Sequence, residues 1–383
     1  MTKMEKPMRN ILSILIIIFA NQSAAFEKIV GTAGNEIYAK AVAQFLYPWA
    51  MAFVSDEFLL VTTKPGQLWL VSKDGKKQQV AGVPKPIVAG QGGMGDVVVH
   101  PDFNKNKMVY LSLVQSSDNG KTRHAVVVRG KLTLTGSPKL SELETIWKQL
   151  PPMRGAGHFS HKMAFGPKGS KQEGKLFITS GDRQEKMVAQ RWDMALGKII
   201  RLNDDGSLPL DNPFQGQGEL AKSFWTLGHR NALGITFDSE NKLWANEMGP
   251  KHGDELNLIE PGQNYGWPIV SNGNNYDGTK IPDHGTRPDF FAPKVYWVPT
   301  IAPSGLIIYK GKHFANWRGE AFMGGLKSRA LIRVELDDKM AWEAERFQWG
   351  KRIREVEEGP DGLLWVLEDD SKGRLIKLGS QGQ

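Results

Sequence analysis

The chain of 383 residues contains no cysteine. Disulfides, a lipid-bearing thiol and Cys-x-x-Cys-His haem attachment are therefore excluded, and an oxidising compartment places no folding demand on it. It also lacks any block of five or six like charges: 49 Lys plus Arg stand against 41 Asp plus Glu, and the net +8 is scattered along the chain. Without a basic stripe interleaved with aromatics there is no nucleic-acid footprint, and steering of small anions is the most this charge supports. Apolar runs are short; Ile11 to Ala20 is about ten residues, against roughly 20 for a membrane-spanning helix. No P-loop is present, and the glycines around Gln91 are not followed by the amphipathic helix of a dinucleotide fold.

What the N-terminus does contain is a basic start (Lys3, Lys6, Arg9), the apolar run, and a small-residue exit at Ser23-Ala24-Ala25. This is the three-part pattern of a secretory signal peptide. Residues 1–25 read as that signal and 26–383 as one mature domain, soluble, without a membrane span, and placed in a bacterial periplasm.

The mature chain repeats a degenerate unit: an apolar strand, a turn built on Asp, Gly or Pro, a strand ending in Leu-Trp or a similar pair, then a strand rich in Ile, Leu and Arg. Six copies span Pro48–Lys73, Gly95–Lys131, His161–Leu202, Asn231–Leu258, Ser304–Leu336 and Arg354–Leu378. Short β-type runs separated by Pro-Asp-Gly, Asp-Asp-Gly and Lys-Gly-Lys turns indicate antiparallel strands, with little amphipathic helix. Small repeated sheets bury their faces by radial packing, which predicts an all-β, six-bladed β-propeller of four-stranded antiparallel sheets. Long inserts such as Gly262–Thr300 then lie on one face and carry binding residues.

The densest chemistry lies in Gly228–Pro268, GHRNALGITFDSENKLWANEMGPKHGDELNLIEPGQNYGWP. Arg230 and Asn231 offer a charged fork and an amide, suited to an anionic, carbonyl-bearing ligand. The Gly249-Pro250 turn can present bare backbone oxygens, and Asp254, Glu255 and the Tyr265 loop add hard oxygens of the kind calcium prefers. Elsewhere His158 precedes a strand in RGAGHFSHKMAFGP, Gln91 sits in the glycine-rich AGQGGMGDVVVHPDF, and Lys327, Arg352 and Arg354 stand at the ends of apolar strands. Taken alone, each has a plain structural reading: a hydrogen-bonded loop histidine, a hairpin loop, and surface ion pairs with Glu355, Glu357 or Glu358. The run Glu368-Asp369-Asp370 reads as solvated surface. His158 and His161, three apart, lack a third ligand at zinc-like spacing.

The order GHRN, GP, DE-NLI, NYGWP resembles the pyrroloquinoline quinone-dependent soluble aldose dehydrogenases of the glucose/sorbosone dehydrogenase family. The GQ-G-hydrophobic-G, HPDF, LK and R-x-R motifs are similar too, so the likeness extends over nearly all the mature chain. The resemblance implies a six-bladed propeller that oxidises the C1 hydroxyl of aldoses to aldonolactones, with hydride passing to the quinone. It implies His158 as the base, with His161 a second candidate, and Gln91 at the sugar. Arg230, Asn231, Lys327, Arg352 and Arg354 would hold the quinone's three carboxylates and its ortho-quinone. Calcium would bind the backbone oxygens of Gly249 and Pro250, and a second ion Glu255 and Tyr265. Some relatives carry an aspartate where this chain has Gly157, which leaves sugar preference open. Electrons would leave to an external acceptor, from a monomer or homodimer. Two other readings stay in contrast, a calcium-dependent propeller lactonase and a non-catalytic propeller that binds a glycan or protein.

Overall fold

The computed structural model describes residues 26–337 and 340–380. The expected signal segment, 1–25, lies outside them. Among the described residues the strands form six antiparallel sheets arranged as the blades of a propeller. The first strands of the blades are Pro48–Phe53, Met94–Val99, Ser160–Phe165, Ala232–Phe237, Pro303–Ile308 and Ile353–Glu358, and they ring the central channel. Each lies within one residue of the start of a repeat read from the sequence.

Radial packing explains the near-continuous burial of these strands. Each blade meets a neighbour on both faces, so the apolar side chains of both faces are covered. Six separate clusters result, one between each pair of adjacent blades. Trp244 and Trp365, from the Leu-Trp pairs, are buried in two of them.

Two features differ from the sequence expectation. Blades one to five have four strands, but the sixth has five, because Glu36–Phe45 pairs with Gly373–Gly379 and Glu27–Val30 adds outside it. The two chain ends are thus hydrogen-bonded into one sheet, which closes the ring. The second feature is a register irregularity at the head of every first strand, between Pro48 and Ala50, Met94 and Val97, Ser160 and Met163, Ala232 and Gly234, Pro303 and Leu306, and Ile353 and Glu355. A bulge re-aims the side chain it carries. Six of them at the same end of six neighbouring strands therefore direct a ring of side chains over one mouth of the channel.

Candidate active site

That mouth opens into a cavity of about 670 Å³. Trp49, His161, Leu233 and Arg354, each placed by a bulge, line it. Of the residues singled out in the sequence, Gln91, Asn231, Lys327, Arg352 and Arg354 share this wall. Lys64 and Arg329 join them, so that five cations face a single carboxylate among the lining residues, Asp369. Arg352 and Arg354 both donate to the same oxygen, Oδ2 of Asp369, at 2.7 and 2.8 Å. Burial works against the Asp369 carboxylate, but the charges of Arg354 and Arg352 outweigh it and hold its pKa below the ordinary value.

The acidic run expected at the surface is therefore corrected. Glu368 is buried, donated to by Arg374 Nη2 at 2.6 Å and the Trp349 indole at 2.9 Å, and Asp369 is largely enclosed; only Asp370 faces solvent. Likewise Arg352 and Arg354 pair with Asp369 rather than with Glu355, Glu357 or Glu358.

His158 stands beside this wall, nearly buried, with its backbone N–H donating to Gln91 Oε1 at 2.7 Å. Its Nδ1 lies 2.7 Å from Oδ1 of Asp182, which is fully buried. Asp182 also accepts the Trp267 indole N–H at 2.7 Å and the Gln184 backbone N–H at 2.8 Å. A carboxylate only accepts, so Nδ1 carries a proton, and in the neutral ring Nε2 keeps a free lone pair. Asp182 had no signal in the sequence: it lies 24 residues from His158 and meets it only because the first two strands of blade three form a hairpin. Trp267 arrives from the long insert after Asp254–Ile259, which climbs back to this face. Next to the histidine, a Cβ on Gly157 would stand 2.4 Å from Gln184 Oε1, so the Gln184 carboxamide takes the space a side chain at 157 would need.

Arg230, Gly249, Pro250, Glu255 and Tyr265 line a separate, adjoining recess with room for about one water-sized particle. Glu255 sits directly across the ladder from Glu247, and both are buried. Opposed like charges are unfavourable. Burial first, then the charges of Glu247 and Asp254, push the Glu255 carboxyl well above the ordinary range against the Asn257 amide. Among the described residues neither the Gly249 nor the Pro250 carbonyl accepts a protein hydrogen bond. Asn257 Oδ1 is buried without a partner. Paired buried carboxylates, free carbonyls and a one-particle recess suit a hard divalent cation. The Tyr265 phenol is engaged elsewhere, donating to Leu258 O at 2.5 Å and accepting from Glu260 N–H, while its carbonyl accepts His284 Nε2–H at 3.2 Å. No three acidic or histidine side chains among the described residues converge on one point, so backbone oxygens must complete any cation site. Glu255 pairs with neither Lys251 nor His252; the His252 ring accepts from Thr300 N–H.

A profile of the family described as glucose/sorbosone dehydrogenase matches residues 45–377. The aldose sugar dehydrogenase YliI of Escherichia coli (strain K12) is 37% identical over 342 residues, covering 87% of this chain and 90% of its own. The apo-form crystal structure of the soluble aldose sugar dehydrogenase from Escherichia coli superposes with a TM-score of 0.83 at 33% identity, covering 90% of this chain and 99% of its own. The PQQ-bound aldose sugar dehydrogenase from Streptomyces coelicolor gives 0.74 at 26% identity, covering 90% and 98%.

Proposed function

Because the chain belongs to the glucose/sorbosone dehydrogenase family and is an oxidoreductase acting on sugars, we propose that it oxidises the C1 hydroxyl of aldoses to aldonolactones with pyrroloquinoline quinone and calcium. The observation that carries this reading is a buried Asp182–His158 pair beside a cation-rich cavity. When bound, the quinone supplies a two-electron acceptor, which calcium makes more electrophilic.

The chain's own residues do the rest. Asp182 fixes the His158 tautomer, and the Nε2 lone pair takes the C1 hydroxyl proton. Gln91, its oxygen held by the His158 backbone, keeps its amide N–H groups for a sugar hydroxyl. Lys327, Arg352 and Arg354 pair with the quinone's three carboxylates; Asn231 and Arg230 orient its polar edge. Five cations against one carboxylate is the imbalance a tricarboxylate would neutralise. The resemblance implies two calcium ions, but the recess has room for one, which the Gly249 and Pro250 carbonyls, Glu255 and the Tyr265 carbonyl would hold between them. Export to the periplasm rests on the N-terminal pattern; among the described residues no helix is long and apolar enough to cross a membrane. The acceptor that reoxidises the quinone is a separate molecule, since a chain without cysteine cannot attach haem through Cys-x-x-Cys-His.

The test is dye-linked oxidation of glucose and other aldoses by apo-protein, with each of the quinone and calcium added alone and together. Activity is expected only with both. His158→Gln should lower kcat about 1,000-fold while leaving quinone binding intact. Quinone-independent hydrolysis of a lactone, with no aldose oxidation, would replace this reading with the lactonase.

A further inference from the structure

Trp49, Leu233 and Arg354 are set over the cavity by the bulges that open blades one, four and six. The residue in that place on blade three is His161, which the reading above leaves without a role. The backbone is forced to present it: His158, Ser160 and His161 have φ of 49°, 58° and 60°. L-residues avoid that region, and such conformations persist where the surrounding structure dictates them. Space for the ring is reserved on two sides. Trp49 stacks on it at 5.3 Å and 14°, and a Cβ on Gly95 would lie 1.9 Å from its Cε1.

The hydrogen bonds fix its tautomer. Ser112 is fully buried; its Oγ accepts the Asp96 backbone N–H at 2.8 Å, and among the described residues its own proton has no acceptor in reach but His161 Nδ1, at 2.7 Å. With Nδ1 accepting, the ring carries its proton on Nε2. Nε2 has no protein partner among the described residues, yet it is not one of the sealed, unpartnered ring nitrogens. Its open side is the cavity that His161 lines. Burial keeps the ring neutral, with its pKa pushed down to about 3.

We infer that His161 is a cofactor-contacting residue whose Nε2–H donates a hydrogen bond to an oxygen or ring nitrogen of the bound quinone. The inference rests on the quinone reading above. A donor there holds the ring system in register and favours its electron-rich form, so the bound cofactor's absorption should report it.

The experiment is titration of apo-protein with pyrroloquinoline quinone in excess calcium, followed by the quinone's absorbance. His161→Phe keeps a ring against Trp49 without the donor and should bind about ten-fold more weakly, with a shifted band. His161→Gln, which presents an amide N–H, should recover most of both. Ser112→Ala, which frees the tautomer and leaves the ring, should shift the band in the same direction by less. Wild-type affinity and an unmoved band in both His161→Phe and Ser112→Ala would overturn the assignment while the quinone reading stood. Failure of the wild-type protein to bind the quinone would overturn both.

Discussion

Two levels of the central channel use cations in opposite ways. At the mouth, Lys64, Lys327, Arg329, Arg352 and Arg354 face one carboxylate. One layer in, Lys162 is buried between Asp96 Oδ1 at 2.9 Å and Glu355 Oε2 at 2.5 Å, and Asp96 also accepts the Met163 N–H. Burial alone would lower the Lys162 pKa, but the Asp96 and Glu355 charges raise it above the ordinary value. The inner cation is matched by the protein and serves the fold. The outer ones outnumber the one carboxylate they share, and in the proposed reading an anionic ligand completes them. Arg354 and Lys162 both stand near the heads of innermost strands, so position along the chain does not separate the two kinds; their partners do.

Breaking the inner group should have the largest effect. Lys162→Met leaves Asp96 and Glu355 buried without a counter-charge and should destabilise the fold by about 3–5 kcal/mol in urea unfolding. Adding Glu355→Gln to that variant should recover part of the loss, whereas Lys162→Met with wild-type stability would erase the distinction between the two levels. At the mouth the expected balance reverses: Arg354→Ala should weaken quinone binding by about 10- to 100-fold, worth roughly 1.5–3 kcal/mol, as read by equilibrium titration. Its unfolding free energy should move by less than that of Lys162→Met, because Arg352 still pairs with Asp369 Oδ2.

A smaller effect sits between the levels, at His161. Its folded-state pKa of about 3 lies below the ordinary 6.5, so the unfolded chain binds the proton first as pH falls. Stability is complete above pH 6.5 and declines from there toward pH 3. At pH 5 the loss should be about 2 kcal/mol relative to pH 7, and His161→Gln should lose less over the same interval.

The architecture was largely legible because repetition and turn chemistry are local. Each first strand begins within a residue of a sequence repeat. The outer strands were not legible: Lys77–Gln79 and Phe224–Leu227 are short, and the closure of blade six joins residues at opposite ends of the chain. At the site, contiguous motifs could be read, but contacts across the fold could not. Asp182 announces nothing in its own neighbourhood, and Asp369 looks like surface until the channel brings Arg352 and Arg354 to it. The bulges escaped for the same reason, since a bulge is a mismatch between two strands and neither strand alone records it.

In the proposed reading the five cations at the mouth are a receptor for an anionic quinone. Calorimetric titration of calcium-loaded apo-protein with pyrroloquinoline quinone, at low and at high salt, tests it most directly. The account predicts one-to-one binding that weakens as salt rises. No binding, or binding whose affinity ignores salt, would contradict it.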